Sequence, residues 1–234
     1  MAQVREHGKT TPHRGRLSRD VIVRAALHLM DTEGLEALTM RRVGRQLGVE
    51  AMSLYNHVRD KEDLLDGVAE AALAEFDVEP RAHADWLAEG RAAAHAWRKL
   101  LKKHPNVMTL LVERKHPITS PDAIRPTEIA LQILRRAGLS ERDTVHAFQA
   151  IGGYIFGFVM MEIGNVAPGR PGSDDVAHHL QQLSGEFPCF AALFPVMAEC
   201  DMDATFEFGL DLLLEGIRAK ASGGELGDGP PAAR

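Results

Sequence analysis

Thr39-Met-Arg-Arg-Val-Gly-Arg-Gln-Leu-Gly48, running directly into Val49-Glu-Ala-Met-Ser-Leu-Tyr-Asn-His-Val58, is the stretch on which the fold turns. Thr39 is a helix-capping residue, Val43 and Leu47 stand four apart on one helical face, and Gly48 can adopt the positive φ that ends a helix. A second short helix follows at once, with Leu54 and Val58 turned inward. Gly44 falls where the two helices cross, and without a Cβ it lets their backbones approach. Ala51, Met52, Ser53, Tyr55, Asn56 and His57 are left facing outward or sideways. Such a pair can lay its second helix in the major groove of DNA while the first crosses the backbone.

Working outward, Ser18 caps a bracing helix in which Ile22, Ala25, Ala26, Leu29 and Met30 recur at helical spacing up to Gly34. On the other side, Asp60 with Asp63 resembles a capping box. It opens a helix, expected over 60–76, with Leu64, Leu65, Val68, Ala72 and Phe76 as its inner stripe. Beyond Pro80 the helical pattern continues: about 83–103, 105–112, 122–137, a long helix opened by Ser140 and Asp143, shorter ones near 174–183 and 188–199, and a last one over about 202–220. No strand alternation or hairpin signal interrupts them, so the expected class is all-α. The expected parts are a flexible basic arm (1–17), a DNA-reading domain (18–64), a larger helical domain (65–221) and a disordered tail (222–234). The Gly- and Pro-rich segment 165–173 reads as a loop.

The net charge of −6 is unevenly spread. Residues 1–61 hold eleven Lys or Arg against seven Asp or Glu, about +4, and the remainder nets about −10. A basic front suits phosphate and an acidic body resists wrapping DNA. Cys189 and Cys200, the only cysteines, suggest neither a disulfide framework nor a zinc site. The chain has no run of eighteen exclusively apolar residues and no signal-peptide core, so a cytoplasmic protein without membrane association is expected.

Leu38-Thr-Met-Arg-Arg-Val, Leu47-Gly-Val and Ser53-Leu-Tyr-Asn-His-Val-Arg-Asp-Lys-Glu-Asp-Leu-Leu65 together resemble the TetR family of bacterial transcriptional regulators. The resemblance implies a helix-turn-helix domain followed by a helical ligand-binding and dimerisation domain. The long helix and the last helix would form a four-helix bundle with those of a second copy. Positions matching Arg41, Ser53, Tyr55, His57 and Lys61 would face DNA. By chemistry, Arg41 suits guanine O6 and N7, Asn56 or Ser53 a base edge, and Ala51 and Met52 a thymine methyl. Thr39, Tyr55, His57 and Lys61 suit phosphate. Asn56 departs from the tryptophan of the tetracycline repressors, so their operator does not carry over.

The larger domain reads as a ligand chamber. Trp97, Met108, Phe156 and Met160, with Trp86, Phe148, Met161, Phe187, Phe190, Phe194 and Met197, supply aromatic and thioether surface, and His104, His116 and Glu162 supply polar groups. Segment 116–165 is similar to the tetracycline-repressor branch, and His116 falls at its magnesium-ligating histidine. Asp77 and Met161 replace two other ligand-site residues of that branch. A different, mainly apolar effector is therefore expected, with no resident metal or cofactor. The reading is a ligand-responsive regulator, a repressor that binds a palindromic operator as a homodimer. An activator of the same fold and a helical interaction module that no longer binds DNA are the alternatives. An enzyme built on His104, Glu113, His116 and Glu162 finds no supporting motif.

Overall fold

The structure, a computed structural model, describes residues 17–79, 81, 85–113, 120–164 and 185–223. The basic arm before Leu17, Pro80, His116, the loop expected at 165–173, the helix expected at 174–183 and the tail past Gly223 lie outside the described residues. Among those described there are ten α-helices, one short 3₁₀ turn (Leu35–Ala37) and no strand. The chain divides into two compact units between Leu65 and Asp66.

In the N-terminal unit, α1 (Arg19–Glu33) starts at Ser18, whose hydroxyl accepts from the Val21 amide, and ends at Gly34 with φ of 89°. Its buried side chains include Ile22, Ala26, Leu29 and Met30, as the spacing predicts, and also Val23 and Leu27. Helix α2 (Met40–Leu47) is capped by the Thr39 hydroxyl, which accepts from the Arg42 amide. Gly48 ends it with φ 69° and ψ 29°. The Val49 amide donates to the Gly44 carbonyl at 2.9 Å and the Gly48 amide to the Arg45 carbonyl at 3.2 Å, which is a Schellman termination. Helix α3 (Ala51–Leu54) is a single turn, shorter than the expected helix reaching Val58. Residues 55–57 form a turn, and the Val58 amide still donates to the Leu54 carbonyl at 3.0 Å. Leu54 and Val58 are both buried, as expected.

Helix α4 (Lys61–Leu73) begins in the N-terminal unit and ends in the C-terminal one. Asp60 Oδ1 accepts from the Asp63 amide at 2.8 Å. The reciprocal half of the expected capping box differs: the Asp63 carboxylate takes the Arg59 amide at 2.9 Å and the Arg19 guanidinium at 2.9 Å. Burial pushes the Asp63 carboxyl up, but those donors outweigh it and hold it below its ordinary value. The helix also stops short of the expected 76. Phe76 lies past its end, where its amide closes a turn on Leu73.

The C-terminal unit contains α5 (Trp86–Lys103), α6 (Pro105–Glu113), α7 (Pro121–Arg135), α8 (Glu141–Ile163), α9 (Pro188–Glu199) and α10 (Met202–Ala221). Asp85, Ser140 and Asp201 cap α5, α8 and α10 through their side chains. Helices α5 and α8 are the central pair: both pack on α7, on α10 and on each other. Leu101, Ile133, Val159, Phe206, Leu210 and Leu214 form the centre of the core. By length and composition alone, α8 could cross a membrane. Part of its apolar surface, with Ile155, Phe158 and Val159, is buried in this core.

Candidate nucleic-acid interface and ligand cavity

The helix-turn-helix presents its outward side chains because its inward ones are consumed by packing. Val43, Leu54 and Val58 are buried, which turns Thr39, Arg41, Met52, Tyr55, Asn56, His57 and Lys61 to solvent. Ala51 and Ser53 are half-buried. Met52 is 71% exposed and Tyr55 44%, more than a packing role needs. Gly44 explains the tight crossing: a Cβ built there would meet the Val49 carbonyl oxygen at 3.0 Å and the Ala51 amide nitrogen at 3.2 Å. Thr39 is engaged as the α2 cap yet remains exposed. Arg42 pairs with Glu33, so its charge is partly spent within the unit.

The C-terminal unit holds a half-open apolar cavity of about 250 Å³. Helix α5 lines it with Gly90, Ala93, Ala94 and Trp97, a run at helical spacing that places small residues on one face. Helix α7 adds Pro126, Thr127, Ala130, Ile133 and Leu134, and α8 adds Phe148, Ile151, Gly152, Ile155 and Phe156. Phe76 closes one side, with its ring edge-on to Trp97 at 6.0 Å between centroids.

Of the proposed ligand residues, Trp97 and Phe156 meet at this cavity, and Phe148 joins them. Four others lie elsewhere for identifiable reasons. Met108 is buried in the core. Met160 is on the outer face of α8, 51% exposed. His104 is buried at the end of α5, its Nε2 3.0 Å from Glu75 Oε2. Burial raises the Glu75 carboxyl, but bonds from His104 and Lys103 outweigh it and hold it below its ordinary value. Glu162 receives Arg98 Nε at 2.9 Å and Arg98 Nη2 at 2.6 Å, with Lys102 Nζ at 2.7 Å, so most of its accepting capacity is already used. Phe76 and the small residues of α5 were not among the proposed ligand residues. The Gly90-Ala93-Ala94-Trp97 periodicity is the signal that points to them. Among the described residues, no group of three or more His, Cys, Asp or Glu side chains is placed to hold a metal ion.

Comparison with known proteins agrees with this architecture. Residues 22–68 match the family model described as bacterial regulatory proteins, tetR family, and residues 79–221 match tetracyclin repressor-like, C-terminal domain. The chain is 33% identical over 212 residues to the HTH-type transcriptional repressor DrrR1 of Streptomyces coeruleorubidus, covering 86% of this chain and 77% of that protein. It is 32% identical over 207 residues to the class A tetracycline repressor protein of Escherichia coli, covering 86% and 91%. The crystal structure of the Streptomyces coelicolor TetR family protein ActR in complex with actinorhodin superposes with a TM-score of 0.74 at 27% identity, covering 88% of this chain and 99% of that one. With a helix-turn-helix head, an all-helical body and both family models matched in order, the chain belongs to the TetR family of bacterial transcriptional regulators.

Proposed function

We propose that this protein is a homodimeric repressor, cytoplasmic and not an enzyme, that leaves a palindromic operator when a small, mainly apolar molecule enters the C-terminal cavity. The observation that carries the reading is the position of Phe76. It is a wall of the cavity and lies three residues past the end of α4, the helix that starts in the DNA-reading unit. A ligand that displaces Phe76 would therefore act on the end of α4. If it binds the DNA-incompetent conformation better it shifts the population that way, and operator DNA weakens its binding by the same factor. The similar protein ActR, solved in complex with actinorhodin, supports a small-molecule effector for this chain.

Dimerisation is supported by surface chemistry. The outer face of α8 exposes Gly153, Gly157, Met160 and Met161, and α10 exposes Phe208 and Leu212 at 67% and 61%. Apolar area of that kind on two helices suits a twofold four-helix bundle with a second copy. A C2 dimer matches a palindrome whose half-sites lie roughly 34–36 Å apart. In this reading Arg41, Ala51, Met52, Ser53 and Asn56 face base edges, and Thr39, Tyr55, His57 and Lys61 face phosphates.

Selection of bound duplexes from a random library tests the proposal. Recovery of a palindrome by the wild type and its loss with Arg41→Ala are expected. Failure to enrich any duplex at low salt overturns it.

A further inference from the structure

The cavity's chemistry restricts what can occupy it. Among the described residues lining it none is ionisable, and the side-chain hydrogen-bonding groups are the Trp97 indole N–H and the Thr127 hydroxyl. The two arginines of α5 are committed elsewhere. Arg98, next to Trp97 in sequence, is bound by Glu162 and Asp203, and Arg91 is bound by Glu207 and Asp211. A charged ligand placed here would leave water for an apolar wall with no counter-charge among these residues, and such a group neutralises instead of entering charged.

Size narrows the class further. An apolar cavity of ~150 Å³ accepts one benzene ring, and this one is about 250 Å³. Four aromatic residues, Phe76, Trp97, Phe148 and Phe156, line it, and offset or edge-on ring contacts are favourable.

We infer that the effector is an uncharged aromatic molecule of about two fused rings bearing a hydrogen-bond acceptor, and that an acidic analogue enters only in its protonated form. This rests on the cavity being the effector site. It adds charge and size selection, and it predicts that an acid of the same skeleton is sensed through its neutral fraction.

The test is calorimetric titration of the full chain with 2-methoxynaphthalene and with 2-naphthoate. Gly152→Leu and Ala130→Leu serve as cavity-filling controls. A Cβ added at Gly152 meets no atom within 4 Å, so a side chain can start there without backbone conflict, and circular dichroism checks that both variants fold. The ether should bind the wild type and lose binding in both controls. Near neutral pH the acid sits about three units above an ordinary carboxyl pKa of about 4, so it should bind on the order of a thousandfold more weakly. It should gain about tenfold per unit as pH is lowered. Equal affinity of ether and carboxylate near neutral pH would overturn the charge selection and leave the cavity as a ligand site. Absence of binding by either probe would overturn the inference together with its premise. Cavity binding with this selectivity but without any change in operator affinity would leave the cavity's charge selection standing, but would overturn the premise that it is the effector site and the release reading above with it.

Discussion

Arg98 grips Glu162 with two parallel hydrogen bonds, Nε at 2.9 Å and Nη2 at 2.6 Å, in a setting where each side chain is only 8% exposed. The guanidinium lies 4.4 Å from the Phe206 ring centroid and also takes Asp203 at 2.7 Å, so one cation joins α5, α8 and α10. Burial of Arg98 favours losing its proton, but the carboxylates outweigh this and raise its pKa further. Arg98→Met should therefore leave Glu162 buried with Lys102 alone and lower stability by about 3 kcal/mol, whereas Arg98→Met with Glu162→Leu should recover most of the loss. Urea denaturation at fixed protein concentration checks both. A double variant no more stable than the single one would show that the pair is not what links these helices.

The same carboxylate predicts a pH dependence. Burial pushes the Glu162 pKa up, but the bonds and charges of Arg98 and Lys102 outweigh that and hold it below its ordinary value. A carboxyl depressed in the folded state contributes its full stability above the unfolded value of about 4.3, and this is lost as pH falls through the lower folded value. Stability measured downward from pH ~5 should fall less steeply for Glu162→Gln, from a lower plateau, than for the wild type. Parallel acid limbs would contradict the assignment.

Gly209 seats the Tyr154 ring. A Cβ there would stand 2.6 Å from Cζ and collide with the hydroxyl that donates to the Phe206 carbonyl at 2.8 Å. Gly209→Ala should cost about 1–3 kcal/mol by overpacking. Tyr154→Leu in the same chain should remove most of that cost, giving a measurable coupling in a double-mutant cycle.

Gly44→Ala should harm the DNA-reading head because the obstacle is backbone, the Val49 carbonyl and Ala51 amide, with no flexible side chain to yield. A drop in stability of about 1–3 kcal/mol with a loss of operator affinity is expected. Gly152→Ala, with open space around its Cβ, is the control and should leave operator affinity unchanged while raising stability by about 0.5–1 kcal/mol. Thermal unfolding and operator titration on both variants separate the outcomes.

Base and phosphate contacts should part company in salt titrations. Lys61→Gln should weaken binding to all sequences and reduce the salt slope by about 1. Arg41→Ala should cost about 1–3 kcal/mol at one base position and relax selectivity there. Identical effects of the two variants would reject their division of roles.

Much of this molecule could be read before any coordinates. The caps at Ser18, Thr39 and Ser140, the glycine stop at Gly48 and the inward pair Leu54 and Val58 are local events. Each is settled by hydrogen bonds and periodicity within a few residues, so the chain's order of helices and the outward side of its helix-turn-helix follow from residue types alone. Which aromatic residues enclose a cavity is a different kind of fact. Phe76, Trp97, Phe148 and Phe156 come from widely separated segments, and Met108 or Met160 would have been equally plausible by composition. Packing decided that Met108 fills the core while Met160 faces outward on α8. It decided too that Glu162, in reach of Arg98 and Lys102, became part of an ion pair. Side-chain type limits what a residue can bind, but helix rotation and the neighbours brought by distant helices determine which of those bonds it makes.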